Sequence, residues 1–393
     1  MAGGDRRQET GDRRESPGLG SSELLSPVSC LLSPRPRILV LALSGIGDTL
    51  IATPFIHELR ANFPDAKIEA LVLWPGAKSL LEDNPHLDAV HQHNFIKASK
   101  FASLRFVRGL RRRGYDLSIN THTQGRRGYR VIARLIGARV RLSHEYENQS
   151  GIDRWLVTHS LPQDYTAHSA VNNNRLLSLI GRAPMLPSPA YELFLRPEEE
   201  TWAANFLGKH SLTGKKFLGL HVGSGGTKNL ALRRWPLENY LELVKQLHAE
   251  QPDLPVLFFG GPDERAAHSE AWERLRGGPI FFPESPSVRH AAALLSHART
   301  FLSVDTLFMH LAAAVKVPHQ FVIETPTVNP PILPLRDNGW SLIPNPAVGG
   351  RNLDYYRYDG RPISGTADEL KHIMDSVTVD AVLKAVQPAL SGA

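Results

Sequence analysis

Short continuous apolar runs alternate along the chain with stretches whose apolar residues recur every three or four positions. Residues 37–43 form an aliphatic, β-branched run that reads as a strand, and 49–62 follows with Leu50, Pro54, Ile56 and Leu59 at helical spacing. Further strands are expected at 67–73, 88–91 and 116–120, and helices at 77–82, 128–137 and 172–180. Strands that are apolar throughout and separated by helices indicate βαβ units, hence a parallel sheet covered on both faces. Pro184, Pro187 and Pro189 then mark a linker. The rhythm restarts with strands at 217–222, 255–259, 300–304 and 319–323. Helices are expected from Pro236, from the turn Gly260-Gly261-Pro262 through Leu275, and at 287–296 and 307–315. Proline suits the first helical position, where its missing N–H is not needed. The expectation is an α/β chain with two doubly wound Rossmann-like domains and a ligand cleft at the carboxyl ends of their strands. Its divisions are a flexible tail at 1–36, a first domain at 37–189, a second at 190–376, and a closing helix and tail at 377–393.

Composition narrows the class. Of 393 residues, 42% are hydrophobic, enough to fill two cores. No apolar run approaches the roughly 18–20 residues of a membrane helix. The single cysteine, Cys30, excludes an intrachain disulfide and fits a reducing, cytoplasmic setting. The tail is rich in Gly, Ser, Pro and charge, repeats Gly-Asp-Arg-Arg at 4–7 and 11–14, and has its mildly apolar stretch broken by Pro27. It is read as a tail rather than a signal peptide. The net charge is +6, and between Lys97 and Arg141 thirteen Lys or Arg face one acid, Asp116. Such one-signed density favours an anionic partner over a merely solvated face. A phosphorylated or carboxylated glycolipid, or peripheral contact with the inner membrane surface, fits it. No nucleic-acid-reading motif accompanies the cluster, so nucleic acid is not expected.

Three places carry candidate chemistry. The loop Ser44-Gly45-Ile46-Gly47-Asp48-Thr49 follows the first strand and opens a helix. Asp48 there is either a helix cap or a general base that takes a proton from a hydroxyl in the cleft. A rival reading is a dinucleotide fingerprint, with Glu69 as the ribose-binding acid, although Leu50 occupies the third small position and Asp48 would face the pyrophosphate. The second place is Ser224, Gly225, Gly226 and Thr227, followed by Lys228, Arg233 and Arg234. It is either an anion cradle before a helix or an ordinary glycine-rich turn. The third is Asp305, Thr306 and His310, where a strand gives way to a helix. There is no Asp-x-Asp pair and no Cys/His cluster at metal spacing, so neither a metal nor a cofactor is expected.

These motifs, in order, resemble the bacterial lipopolysaccharide heptosyltransferases. The resemblance is carried by residues 44–54, Glu58-Leu59-Arg60, Phe63-Pro64-Asp65-Ala66 and Asn84-Pro85-His86-Leu87-Asp88 in the first half. In the second half it is carried by Arg234-Trp235-Pro236, residues 260–264, residues 304–313 and the closing residues 377–382. The resemblance implies a GT-B fold with the active site between the two domains. It implies Asp48 as general base, Arg234 on the donor diphosphate and Glu264 on the nucleoside. Asp305, Thr306 and His310 would line the sugar-diphosphate pocket. The acceptor would lie on the first domain, where His122 and Arg126 are candidates. The chain departs from the family pattern at Leu307, and at Thr325-Pro326-Thr327, where the family tends to carry glycines. A leucine branch there narrows the sugar-side pocket, so a smaller nucleotide sugar is expected to be preferred to ADP-heptose.

The expectation is therefore an inverting, metal-independent transfer of an ADP-heptose-like sugar from a nucleotide-sugar donor to a hydroxyl of an anionic glycan or glycolipid. The other readings are an epimerase of the same architecture and a non-catalytic sugar-binding protein.

Overall fold

The computed structural model describes residues 32–121, 123, 125–146, 149–223, 233–326, 332–348 and 367–391. The first half runs β1 (Arg37–Ala42), α1 (Ile46–Ile51), α2 (Thr53–Asn62), β2 (Lys67–Val72), α3 (Pro75–Leu81), β3 (Ala89–Gln92) and α4 (Lys100–Arg111). It continues β4 (Leu117–Asn120), α5 (Arg127–Ile136), β5 (Val140–Glu145), α6 (Gly151–Leu156), β6 (His159–Pro162) and α7 (Ser169–Arg175). The second half runs α8 (Pro197–Lys209), β7 (Leu218–His221), α9 (Leu237–Glu250), β8 (Val256–Phe259), α10 (Arg265–Arg274), β9 (Ile280–Phe281) and α11 (Val288–Leu295). It ends β10 (Thr300–Ser303), α12 (Leu307–Ala314), β11 (His319–Ile323), β12 (Trp340–Ile343), α13 (Ala367–Asp375) and α14 (Val379–Ser391).

Each half holds a six-stranded sheet, ordered β3-β2-β1-β4-β5-β6 and β12-β11-β10-β7-β8-β9. Every paired strand runs parallel, for instance Ile38 beside Ile68 and Leu117, and Thr300 beside His319 and Leu218. The strand order reverses direction between β1 and β4, and again between β7 and β10. These are the switch points at which open α/β sheets hold ligands.

The elements β5, α6, β6, α8, β9, β12 and α13 were not expected from the sequence, and two further local results have a clear physical reason. The helix expected over 49–62 is two helices, because Pro54 has no N–H to give the Leu50 carbonyl four residues back. The Thr53 hydroxyl donates to that carbonyl instead, at 2.7 Å. The basic stretch contains a helix, α4, which buries only Val107 and Leu110. Arginines on its open face hide its helical period in the sequence.

The packing joins the halves. The first sheet is covered by two apolar layers, one around Ile38, Val40 and Phe55 and the other around Leu39, Leu41 and Leu110. One face of the second sheet is closed by α9 and by Val382, Val386 and Leu390 of α14. Its other face forms a cluster that crosses to the first half: Leu50, Ile51 and Leu80 pack with Phe217, Phe301 and Leu311. Each such side chain contributes about 1.5–3 kcal/mol on burial. Arg289 of α11, fully buried, fastens the same seam. Its guanidinium donates to Glu199 at 2.5 Å, to the Ser79 and Glu82 carbonyls at 3.2 and 3.1 Å, and to the Phe194 carbonyl. The first two of these carbonyls lie at the end of α3, where unpaired helix carbonyls attract a cation.

Candidate functional site

The segments after β1 and β10 meet at the seam between the halves, and Arg233, ahead of α9, reaches Asp305 there. Asp48 is the third residue of α1, and its Oδ2 accepts from the Gly45 N–H at 2.8 Å. It therefore reaches back to the helix start rather than occupying the cap position itself. The Thr49 hydroxyl donates to the Gly45 carbonyl at 3.2 Å and tightens the same turn. Beside it, Gly47 meets α12 at close range. A β-carbon there would stand 2.6 Å from His310 Cδ2 and 3.3 Å from Leu307 Cα. Only a glycine lets the two helices touch this way, and the contact carries Asp48 to the second half.

On that side, Thr306 caps α12, accepting from the Met309 N–H at 3.4 Å. Asp305 is ion-paired with Arg233. Burial pushes the Asp305 carboxyl up, Arg233 and His310 oppose this, and Asp48 adds to it. His310 is almost fully buried, and burial lowers its basicity while Asp305 and Asp48 pull it back. Its Nδ1 has no hydrogen-bond partner among the described residues. Tyr191 completes the group. Its ring meets His310 edge-on at 5.8 Å, its hydroxyl lies 3.3 Å from His168 Nε2, and burial with Asp48 and Asp305 holds it un-ionised. The structure thus brings Asp48, Asp305, Thr306 and His310 together and adds Arg233 and Tyr191.

Arg234 and Glu264 form a second group nearby. Burial raises the Glu264 carboxyl, offset first by the Gly261 N–H, which donates to Oε2 at 2.8 Å, and then by Arg234. A β-carbon on Gly223 would lie 2.1 Å from Glu264 Oε1, so the backbone after β7 rests directly on this carboxylate. His221 and His268 flank it. Burial chiefly holds them at about 3 and about 4, so both are neutral. Ser224, Gly225, Thr227 and His122 lie outside the described residues. Arg126 is exposed at the start of α5, beyond β4.

The dinucleotide reading loses its acid. Glu69 stands in mid-strand on β2, fully buried, bonded to Tyr115 at 2.5 Å, His91 at 2.8 Å and Arg113 at 3.1 Å. Leu307 is half-buried and packs against the apolar cluster between the halves. Thr325 is fully buried, with its hydroxyl unpartnered among the described residues.

The basic stretch divides into two sets. Arg113 serves Glu69, Arg127 grips Asp153 with two bonds of 3.1 Å, and the buried Arg130 lies 3.4 Å from the same carboxylate. Arg111 and Arg141 donate to main-chain carbonyls. Lys100, Arg105 and Arg108 instead share the outer face of α4 with Phe101 and Leu104, which are 77% and 47% exposed. Trp155 of α6 is also exposed, with Arg134 4.9 Å from its ring.

Sequence reasoning missed Tyr191, which follows a proline-rich linker and has no motif. It also missed Asn120, buried at the end of β4 with neither amide atom partnered among the described residues. A polar residue ending an apolar strand at a switch point was the available signal.

Comparison with known proteins agrees with this geometry. The model of glycosyltransferase family 9 (heptosyltransferase) matches residues 103–320, over half of the chain. The chain is 28% identical over 293 residues to lipopolysaccharide heptosyltransferase 3 of Escherichia coli, covering 69% of this chain and 78% of that one. A putative glycosyltransferase of Haemophilus influenzae is 25% identical over 288 residues, covering 72% and 80%. Among solved structures, a family 9 glycosyl transferase from Veillonella parvula superposes with a TM-score of 0.71 at 19% identity, covering 91% of this chain and 98% of that one. ADP-heptose lipopolysaccharide heptosyltransferase II of E. coli gives 0.65 at 19% identity, covering 90% and 98%. The E. coli heptosyltransferase WaaC with ADP-2-deoxy-2-fluoro heptose gives 0.64 at 17%, covering 90% and 99%. These likenesses place the two-sheet architecture in the GT-B fold.

Proposed function

Because the chain belongs to glycosyltransferase family 9, the heptosyltransferases, we propose that it transfers a sugar from a nucleotide diphosphate to a hydroxyl of an anionic glycolipid, with inversion, in lipopolysaccharide core assembly. The observation that supports this reading is the approach of Asp48 to Asp305 and His310 across the seam. Asp305 is engaged by Arg233, whereas Asp48 accepts the Gly45 N–H on Oδ2 and sits opposite no such cation among the described residues. Of the two carboxylates, Asp48 is the one suited to take a proton. The acceptor O–H proton passes to Asp48, and the oxygen attacks the anomeric carbon from the face opposite the diphosphate. The bond from that carbon to the diphosphate oxygen breaks, and the nucleoside diphosphate leaves as an anion.

The leaving group is stabilised by Arg234 and by the N–H groups at the start of α12, with Ser224, Gly225 and Thr227 as further candidate donors from the sequence. In this reading the step needs no metal, since the charge of Arg234 offsets that of the developing anion. The donor is a relative of ADP-heptose with a smaller sugar. The E. coli heptosyltransferases compared above act on or bind ADP-heptose compounds, and the half-buried Leu307 trims the sugar end. Glu264 supports the nucleoside side through the Gly223 backbone, and His310 Nδ1 is completed by a ligand group. Asn120, Arg126 and His122 stand on the acceptor side, and the cationic, apolar outer face of α4 rests on the cytoplasmic face of the membrane.

The test is a panel of nucleotide sugars, each assayed for slow donor hydrolysis and for transfer to purified core glycolipid. Product of inverted anomeric configuration with one donor is the expected result. Absence of both hydrolysis and transfer across the whole panel, with donors still bound, would leave a binding protein instead.

A further inference from the structure

Away from the seam chemistry, three side chains from distant parts of the chain converge beside the linker. His57 comes from α2, His86 from the loop before β3, and Glu192 from the segment joining the halves. His57 Nδ1 lies 2.7 Å from Glu192 Oε1, and His86 Nε2 lies 3.5 Å from Glu192 Oε2. The two imidazoles stack with centroids 3.8 Å apart. One ligand atom from each residue lies within 4.8 Å of the others.

The backbone holds this group in place. The Glu192 N–H donates to Thr53 Oγ1 at 3.0 Å, and the His86 N–H donates to Asn84 Oδ1 at 2.9 Å. Arg60 donates to the His86 carbonyl at 3.3 Å. Glu192 Oε2 is shielded from solvent and has no hydrogen-bond partner among the described residues. A carboxylate oxygen in that condition lacks the positive partner that ordinarily stabilises it.

We propose that His57, His86 and Glu192 bind a divalent metal ion of the zinc class, with water in a fourth position. Two imidazole nitrogens and one carboxylate oxygen are the donor set of an open tetrahedral zinc site. Bond lengths of about 2.0–2.2 Å place neighbouring donors roughly 3.3–3.5 Å apart in such a site. The gap between His86 and Glu192 already has that width. His57 Nδ1 lies against the other oxygen, Oε1, at 2.7 Å, so the carboxylate turns for one oxygen to serve the metal beside both rings as the metal replaces the shared proton. The metal ties α2 and the loop before β3 to the linker. The residue before Glu192, Tyr191, contacts His310. The site is thus a pin for the cleft wall and takes no part in sugar transfer.

The test uses the full chain stripped of metal, titrated with Co²⁺ and then with Zn²⁺. One equivalent of Co²⁺ should bind with the visible absorption of four-coordinate cobalt, and Zn²⁺ should displace it. Glu192→Gln and His86→Asn should each weaken binding at least about tenfold, the smallest cost of disturbing a metal shell. Wild-type protein that takes up no equivalent overturns the proposal, as does either variant binding like wild type. Should a variant fail to fold, carbethoxylation of the wild type decides the matter. Zn²⁺ should protect His57 and His86, and unchanged modification of both means that the three residues form only a hydrogen-bonded cluster.

Discussion

Gly47 and His310 approach so closely that a β-carbon on the former would stand 2.6 Å from Cδ2 of the latter. This contact sets how far Asp48 is from Asp305. Gly47→Ala forces α1 and α12 apart. Overpacking of this kind costs about 1–3 kcal/mol. We expect a matching drop in denaturant midpoint and a larger fall in turnover, because the base is displaced from its partner surface. A variant with wild-type turnover would detach the helix contact from catalysis.

Asp48→Asn tests the base directly. The amide oxygen still accepts from the Gly45 N–H, so stability should hold within about 1 kcal/mol. Turnover should fall by about 10²–10⁴ while donor affinity changes little. Calorimetry of donor binding beside steady-state rates reads both quantities.

Arg289 has a different role. It is fully buried between Glu199, the end of α3 and the linker. Removing it leaves the Glu199 carboxylate and several carbonyls buried without their donor. Breaking a buried pair from one side costs about 3–5 kcal/mol. Arg289→Met should lower the midpoint accordingly, and equilibrium unfolding in urea measures it. A change under about 1 kcal/mol, the size of an ordinary surface substitution, would show that the seam is held by its apolar contacts alone.

Stability should fall in mild acid. Burial holds His144 and His221 at about 3, against an ordinary 6.5. Because these folded values are depressed, the unfolded chain takes up protons below about pH 6.5 that the fold refuses. Their stabilising preference is complete above that point and is lost as the pH falls towards about 3. Each contributes a slope of about 1.4 kcal/mol per pH unit well below the ordinary histidine value. Urea midpoints between about pH 7.5 and pH 5 should decline, and less steeply in His221→Asn. Parallel slopes for the two proteins would remove His221 from the account.

The outer face of α4 gives a prediction about partners. Lys100, Arg105 and Arg108 surround exposed Phe101 and Leu104. Reversing these three charges to Glu should weaken binding to anionic vesicles, most at low salt, where screening is least. Donor affinity should be unaffected. Arg111 and Arg113 are poor choices for this experiment, since they donate to the Leu135 carbonyl and to Glu69. Equal vesicle binding by the reversed protein would make α4 an ordinary solvated helix.

The strands were legible where a continuous apolar run is covered on both faces, as in β1, β2 and β11, but not in the interior strand β5, where Arg141, Ser143, His144 and Glu145 break the run. The edge strands β6 and β12 were not, since His159 and Ser341 carry the mixed character of half-covered positions. Asp48, Asp305, Thr306 and His310 were found because each sits within a local motif. Tyr191, Arg289 and the His57–His86–Glu192 group are products of tertiary proximity. Glu192 meets His57 across 135 positions of chain, and no periodicity or spacing rule reaches that far. Glu69 shows the reverse case, a residue at a plausible spacing for the rival dinucleotide reading whose strand position already commits it to Tyr115 and Arg113.

The apolar cluster that holds Leu50, Ile51 and Leu80 against Phe217 and Leu311 also decides what would follow from cutting the chain at its linker. Neither fragment would own a finished surface. Each would present a greasy wall to water, of the size that drives aggregation. The halves look like two copies of one architecture, yet they are obligate partners. Full separation of the halves would strip that wall bare.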